Sequence, residues 1–235
     1  MCRLRIFDVE EEKCFDDNIL LRIITSLEGI SQINIHNSLY LCGTNDEPSD
    51  SVGSYLLKID LSVSPIQPLV LINSIFSHYY PSLIQFKNEL IVIEGTNQIQ
   101  CECYQISHSK LKQMPSLPEE RFKAAAFSDE KGDSIYLFGG NSLNGNSKSI
   151  LKLNMPQSSI WEIINIKQNE YFLARNSSVA FMFESTDNIY ICGGKDNNNN
   201  DTEYIVEYNI KTNSLKKFDR TLKKVCSFDV QGLLT

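Results

Sequence analysis

The sequence predicts an all-β fold assembled from a repeated unit of about 50 residues, each containing four short strands. Three observations support this fold class. Apolar runs that end in glycine recur along the chain, other apolar runs that end in a polar residue follow them at a similar spacing, and no stretch has helical periodicity. The chain has 235 residues, 42% of them apolar, which is enough for one large all-β domain or two small ones.

The first repeated feature is a strand that ends in glycine. Four segments share it, and their first glycines lie at positions 43, 95, 139 and 193. The segments are SLYLCGT (38–44), ELIVIEGT (89–96), SIYLFGG (134–140) and NIYICGG (188–194). Glycine suits a strand that leaves its sheet through a left-handed or bulged turn, where a Cβ would clash.

The second repeated feature is an apolar run that closes on a small or acidic polar residue. It occurs five times, ending at positions 8, 60, 107, 154 and 209, with spacings of 52, 47, 47 and 55 residues. Strand-like runs also precede each glycine segment and follow each closing run, so each unit has four strands separated by polar, Gly or Pro turns. Four-stranded antiparallel units are the blades of a β-propeller, arranged around a central channel.

The units resemble kelch repeats. The clearest unit, residues 111–164, carries Met-Pro, Arg, a run of small residues, Gly-Gly and then Trp in the family's order. These residues are Met114, Pro115, Arg121, Ala124 to Ala126, Gly139, Gly140 and Trp161. The resemblance extends over essentially the whole chain. It has two departures: Thr44 and Thr96 take the place of the second glycine, and only one unit has the Trp.

The resemblance implies a kelch-type β-propeller of four-stranded antiparallel blades, formed by residues 1–235 as a single domain. Four complete units span residues 31–73, 80–118, 121–167 and 175–220. The two ends, residues 3–27 and 223–235, resemble parts of a blade. We therefore expect about five blades, the last one split between the termini or left partial. Trp161 is expected to pack in the core between two blades.

Charge and composition narrow the classes of function. The formal net charge of −7 argues against a nucleic-acid partner, and no apolar run is long enough to imply a membrane partner. Residues 1–13 lack the apolar core of a secretory signal, and the seven cysteines include no CxxC pair. These features predict a cytoplasmic protein with reduced thiols, associated with the cytoskeleton in one version of this hypothesis.

Sequence patterns typical of catalysis or cofactor binding fit poorly. The GGNSLNG stretch after Phe138 is followed by a strand-like run instead of the helix that a phosphate loop needs. Cys101 and Cys103 have no partner pair for a zinc site, and the three histidines are far apart in sequence. No nucleophile and base share a recognisable local motif. We therefore expect no enzymatic activity, no catalytic residues, no metal site and no cofactor.

The resemblance to kelch modules that capture peptides implies a binding surface at one mouth of the channel, formed by loops after the glycine turns and loops that lead into the blades. The candidate binding residues are Asn45, Tyr80, Asn97, Arg121, Lys123, Asn141, Arg175, Ser177 and Lys195. Kelch modules that bind acidic peptides line this mouth with Arg and Ser, so Arg121, Lys123 and Arg175 are candidates for a local positive site. Alternatively, the two arginines bond to loop carbonyls of the neighbouring blade. The asparagine-rich run 196–201 is expected to be a flexible loop tip.

Three hypotheses about function follow. The first is a non-enzymatic protein–protein interaction or scaffold module that binds a partner protein, as a peptide or in a larger complex, through its loops. The second is an architectural subunit of a cytoskeletal or ciliary assembly, with partner contacts along the outer fourth strands. The third is a propeller-type enzyme that acts on a small molecule such as a sugar. Three or more charged or hydroxyl groups at the mouth would favour peptide or sugar binding, whereas an apolar plug in the channel would favour architecture.

Overall fold

Short strands separated by tight turns make up the regular structure, as the repeat predicts. A computed structural model describes residues 5–8, 13–16, 27–45, 54–63, 68–73, 76, 78–96, 98–155, 158–166, 173–183 and 186–221. All regular elements in these ranges are β-strands, and no helix there is long and apolar enough to cross a membrane.

The strands form a two-stranded hairpin followed by four antiparallel four-stranded sheets, which we call blades 1 to 4. The hairpin contains β1 (Arg5–Asp8) and β2 (Lys13–Asp16). Blade 1 contains β3 (Leu27–Ile35), β4 (Ser38–Asn45), β5 (Tyr55–Asp60) and β6 (Pro68–Asn73). Blade 2 contains β7 (Ser82–Phe86), β8 (Glu89–Gly95), β9 (Gln98–Gln105) and β10 (Lys110–Met114).

The last two blades differ by one insertion. Blade 3 contains β11 (Ala125–Asp129) and β12 (Ser134–Phe138), then a small hairpin of β13 (Asn141–Ser142) and β14 (Gly145–Asn146), then β15 (Ile150–Asn154) and β16 (Glu162–Ile164). Blade 4 contains β17 (Val179–Met182), β18 (Asn188–Cys192), β19 (Tyr204–Asn209) and β20 (Ser214–Thr221).

The blades are arranged as in a propeller. The first strands β3, β7, β11 and β17 contact one another in that order and line a central channel. The four blades match the four units expected from the sequence, which confirms the all-β propeller fold. The β1–β2 hairpin falls within the amino-terminal part of the expected fifth blade. Residues 223–235 lie outside the described residues, so a fifth blade stays a prediction.

Blades 2 and 3 each pack both of their faces against neighbours, and β12 shows why its sequence is apolar throughout. Successive side chains of a strand point to opposite faces of its sheet. Ile135 and Leu137 pack toward blade 2, whereas Tyr136 and Phe138 pack toward blade 4, and all four are buried. A strand between two apolar layers has no face on which a polar side chain could reach water.

Trp161 fills the interface between blades 2 and 3. It is 5% exposed and packs in the same cluster as Ile91 and Cys101 of blade 2. Its indole Nε1 donates a hydrogen bond to the carbonyl oxygen of Pro115, 3.0 Å away. This confirms the expected position in the core between two blades, since a buried Trp needs such a partner for its N–H.

The glycine pair of blade 3 forms the expected left-handed turn. Gly139 and Gly140 have φ angles of 61° and 87°. A Cβ on Gly139 would lie 2.5 Å from the carbonyl oxygen of Arg175, and the Gly140 amide donates to that same oxygen at 2.8 Å. Glycine is required here because the main chain of blade 3 touches the main chain that leads into blade 4.

In blade 2 the first glycine at the end of the second strand lies one position later than it does in blades 3 and 4. Strand pairing aligns Glu94 with Gly139 and with Gly193 of blade 4, and their φ angles are 61°, 61° and 66°. Gly95 therefore occupies the second-glycine position, and the prediction that Thr96 stands there is wrong. The sequence alone did not show this because a strand that ends in one glycine looks the same whichever of the two positions the glycine fills.

We predict that Gly139→Ala destabilises the protein by about 2–4 kcal/mol, because the new Cβ adds left-handed strain to a clash with main-chain oxygen. Urea unfolding followed by intrinsic fluorescence measures the loss. Gly132→Ala is the matched control: its Cβ would meet only the movable carboxylate of Asp129. Equal losses for the two variants would contradict this explanation of the glycine turn.

Candidate functional site

Two kinds of loop meet at one face of the propeller, which we call the loop face. The loops after the glycine turns pair with the loops that lead into the first strands. In blade 3, Asn141 and Phe122 exchange main-chain hydrogen bonds of 2.7 and 2.9 Å. In blade 4, Lys195 and Asn176 do the same at 2.9 and 3.0 Å. The structure therefore brings the two predicted loop types together.

A row of three main-chain hydrogen bonds links the lead-in loops of the four blades at the mouth of the channel. Gly29, Tyr80, Lys123 and Ser177 occupy equivalent positions in the four blades, with φ angles of 57°, 57°, 55° and 53°. The amide of each of the last three donates to the carbonyl oxygen of the preceding one, at 2.8, 3.3 and 2.9 Å. Main-chain bonds thus join the four loops in a row, and the side chains at these positions take no part in them.

The side chains at the mouth are aromatic, cationic and hydroxylic. The Lys123 ammonium lies 3.9 Å from the centroid of the Tyr80 ring, a cation–π contact. The Tyr79 ring packs edge-on against Tyr80, with centroids 4.6 Å apart, and fills the space that a side chain on Gly29 would take. Within the described residues no carboxylate lies within 4 Å of the Lys123 ammonium. Ser177 is the equivalent residue in blade 4.

Arg121 and Arg175 are buried and do not present their charge at the mouth. Arg175 Nη1 donates to the carbonyl oxygens of Gly193 and Tyr204 at 3.1 and 3.2 Å, and its guanidinium lies 4.4 Å from the Tyr204 ring centroid. Arg121 bonds the Glu119 carboxylate and the Ser149 hydroxyl and carbonyl. Both arginines hold loops of their own blade, whereas the alternative predicted bonds to the neighbouring blade.

The predicted positive site therefore has fewer accessible cations than expected. Of its three cations, only Lys123 has a partly exposed side chain at the mouth. Lys195, the other cation among the candidate residues, pairs with Asp201 at 3.3 Å. Local charge on the loop face is accordingly mixed and not basic.

Sequence reasoning missed His78, which takes the place of the arginine in blade 2. Its Nδ1 lies 2.6 Å from the carbonyl oxygen of Glu94 and its Nε2 lies 2.8 Å from the Glu102 carboxyl, with both side chains fully buried. A carbonyl can only accept, so Nδ1 carries a proton, and the second bond requires one further proton shared by the two side chains. A single histidine two residues before Tyr80 gave no signal beyond its alignment with Arg121 and Arg175.

Residues 141–146 of blade 3 and 195–201 of blade 4 are joined by hydrogen bonds on the loop face. We call this pair of segments the ridge. Asn146 donates its amide to Asn197 Oδ1 at 2.7 Å and its side-chain Nδ2 to the Lys195 carbonyl at 3.0 Å. Asn176 Nδ2 donates to Asn146 Oδ1 at 2.9 Å. At the tip of the hairpin, Leu143 is 83% exposed, the largest exposure among the exposed large apolar side chains of the described residues.

The asparagine-rich run forms the second half of the ridge as an ordered turn. The Asp196 carboxylate accepts hydrogen bonds from the amides of Asn198 and Asn200, each at 2.8 Å. The hydrogen bonds from Asn200 lower the pKa of Asp196, so the turn keeps a negative charge. The run expected to be a flexible loop tip forms an Asx turn, and its Asn197 accepts a hydrogen bond from Asn146.

The remaining candidate residues are placed as follows. Asn45 ends β4, and Asn97 lies outside the described residues. Strand alignment gives Thr96, and not Asn97, the rim position that Asn141 and Lys195 hold in the next blades. Whether any of the candidate residues binds a partner stays a prediction.

Reactive chemistry has little support in the described residues. No group of three or more His, Cys, Asp or Glu side chains there is placed to hold a metal ion. The free thiols Cys42, Cys101, Cys103 and Cys192 are buried, as expected for reduced cysteines. Burial raises the pKa of Cys103 to about 12 and that of Cys192 to about 11, so these thiols stay neutral.

The channel itself contains a cavity of about 290 Å³ between the four first strands. Apolar side chains such as Leu83 and Ala180 make most of its wall. Asn34, Gln85 and Ser128, which hold equivalent positions in blades 1 to 3, add polar groups. The cavity is therefore neither a fully apolar plug nor a densely charged pocket.

Comparisons with known proteins add no assignment: no protein-family model and no curated protein matches the sequence. The described residues define the class as a four-bladed β-propeller-like array with an elaborated loop face.

We predict that Arg175→Met lowers the free energy of unfolding by about 2–4 kcal/mol, because Met keeps most of the apolar volume and removes the donor that the Gly193 and Tyr204 carbonyls share, although Gly193 keeps the Thr202 hydroxyl. Urea unfolding is the measurement. The control is Lys195→Met on the same rim, expected within about 0.5 kcal/mol of wild type because its ion pair is partly exposed. A harmless Arg175→Met would show that the arginine is not structural.

Proposed function

We propose that the protein is a kelch-type interaction and scaffold module that binds a partner protein through the loop face. The proposal is supported by the propeller fold, the kelch-like order of residues in blade 3 and the absence of an assembled reactive centre among the described residues. Its single strongest support is Leu143, an apolar side chain held far into solvent on an ordered hairpin.

An exposed leucine on a rigid hairpin has the properties of a binding anchor. Singly exposed apolar side chains are common on protein surfaces, so what distinguishes Leu143 is how it is supported. Leu143 stands on a hairpin whose other end is fixed by Asn146 and Asn197, so little ordering entropy is lost when a partner covers it. Anchors of this kind fill a pocket at the centre of an interface and are surrounded by polar groups.

The mouth next to the ridge offers the polar part of the same surface. Tyr79 and Tyr80 supply hydroxyls and Lys123 supplies one ammonium, whereas Ser177 is buried and its hydroxyl donates to Asn176 Oδ1. One cation among hydroxyls and amides favours a partner segment with a single carboxylate or a hydrogen-bonding main chain over a strongly acidic peptide.

An architectural role is the second candidate, and the outer strand of blade 3 favours it. Ile163, which is 52% exposed, lies in β16, the strand farthest from the channel, and Ile160, which is 67% exposed, precedes that strand by two residues. A partner lying along this strand would bury both isoleucines without touching the loop face.

One experiment separates the two candidates. Tagged wild-type protein, Leu143→Ser and Ile160→Ser are used to capture partners, and captured proteins are quantified by mass spectrometry and then by titration. Loop-face binding predicts about a tenfold or greater loss of affinity for Leu143→Ser and no change for Ile160→Ser. The reverse pattern would replace the loop face by the outer strand, and wild-type binding by both variants would refute both surfaces.

A further inference from the structure

Glu94 is a buried carboxyl group where the neighbouring blades have glycine. It follows Ile93, the last residue of β8 that pairs with β7, and its φ of 61° is left-handed like the 61° of Gly139 in blade 3 and the 66° of Gly193 in blade 4. Its side chain is 0% exposed and lies in the seam between blades 2 and 3. Both the backbone conformation and the burial are unfavourable for Glu, so this residue needs a reason other than folding.

The carboxyl group is tied to both sides of the seam. Its Oε1 accepts a hydrogen bond from the Ser82 hydroxyl of blade 2 at 2.9 Å. The same oxygen accepts the amide of Ala124, in the lead-in loop of blade 3, at 3.4 Å. The Ser82 hydroxyl also reaches the Ala124 carbonyl at 2.9 Å. The second carboxyl oxygen, Oε2, is buried and has no hydrogen-bond partner among the described residues.

The charged and titratable groups around Glu94 do not neutralise a carboxylate. Arg121, from the lead-in loop of blade 3, is the cation that faces it, but no hydrogen bond or ion pair joins the two side chains. The Arg121 guanidinium is bound by Glu119 through Nη2, whereas its Nε is buried and has no hydrogen-bond partner among the described residues. Although partial burial acts in the opposite direction, Arg121 lowers the pKa of the Glu119 carboxyl, which therefore supplies the balancing charge.

The other elements in contact with Glu94 contribute a thiol, a hydroxyl and an imidazole. From β9 comes the Cys101 thiol, whose pKa burial raises further above its ordinary value. From β7 comes only the Ser82 hydroxyl. His78 bonds the main-chain carbonyl of Glu94 and directs its second nitrogen to Glu102. Burial raises the pKa of Glu94 to about 8, against the lowering effect of Arg121 and the two hydrogen bonds.

We propose that Glu94 is a proton-binding site that controls the seam between blades 2 and 3. The neutral acid fits the buried site, whereas ionisation places an unpaired charge in it and drives the carboxylate toward solvent. Because Glu94 holds the Ala124 amide, its departure loosens the lead-in loop that carries Lys123 to the mouth. This inference is independent of the proposed function, since it concerns the seam in the absence of any partner.

The direction of the pH dependence follows from linkage. The pKa of Glu94 is about 8 in the folded chain, whereas an unfolded Glu titrates near its ordinary value of 4.5. The folded state therefore holds a proton that the unfolded state lacks between these two pH values. The stability contributed by the neutral acid is complete below about 4.5 and is lost as the pH rises through about 8.

The test compares wild type with Glu94→Gln, which keeps the Oε1 acceptor and cannot ionise. The difference in Tm between the variant and wild type is expected to grow in favour of the variant as the pH is raised from about 5 to about 9. Calorimetric unfolding at about pH 6.5 in buffers of different ionisation enthalpy is expected to show about one more proton released by wild type than by the variant. A Tm difference that is the same at all pH values, or equal proton release, would overturn the proposal.

Two further variants and one local measurement keep the test decisive. Glu94→Gly installs the residue that blades 3 and 4 carry, and it must lose the same pH dependence even if Glu94→Gln folds poorly. The Tm difference between Glu119→Gln and wild type must change in the opposite direction. The variant loses stability relative to wild type as the pH rises through the carboxyl range, because the pKa of Glu119 is lowered in the folded wild type. Hydrogen exchange of the Ala124 amide, compared between wild type and Glu94→Gln, must rise with pH more steeply in wild type. Parallel exchange in the two proteins would place the effect away from the seam.

Discussion

The structure depends on one constraint: a four-stranded blade with two apolar faces has no core of its own and must pack between two neighbours. β12 shows the consequence most directly, because Ile135 and Leu137 belong to one interface while Tyr136 and Phe138 belong to the next. Stability is therefore shared along the array, and a change at one interface acts on both adjoining blades. The mouth of the channel repeats this dependence in the main chain, since each lead-in loop accepts a hydrogen bond from the next.

Charged residues at the loop face follow from the same packing. The left-handed turn at the end of each second strand directs a carbonyl away from its sheet, and a buried carbonyl needs a donor. Arg175 meets this need at Gly193, and His78 meets it at Glu94. Arg175, which looks like a ligand contact in sequence, is thus a support for the turn. Arg121 is buried for another reason, because it bonds Glu119 and Ser149.

Much of the fold was predictable from the sequence because it depends on periodic features. The glycine-ended strands and the polar-ended runs recur with one period, and together they predicted the four described blades. Trp161 lies between two blades as expected. The site was less predictable, because it depends on distances between repeats. Nothing in the local sequence shows that Asn146 reaches Asn197, or that Glu94 stands at a glycine position. Such contacts join residues that only the ring brings together.

Backbone strain at the mouth gives a physical reason to regard its side chains as functional. Blade 1 has Gly29 at the left-handed position, the residue with no steric cost there. Tyr80, Lys123 and Ser177 hold the same conformation at a cost of about 1 kcal/mol each. Their amides and carbonyls would make the same main-chain hydrogen bonds if all three residues were glycine. These bonds therefore do not explain why side chains are present at the three positions. Strain that these main-chain bonds do not require, at three equivalent positions of the mouth, supports the proposal that this face recognises a partner.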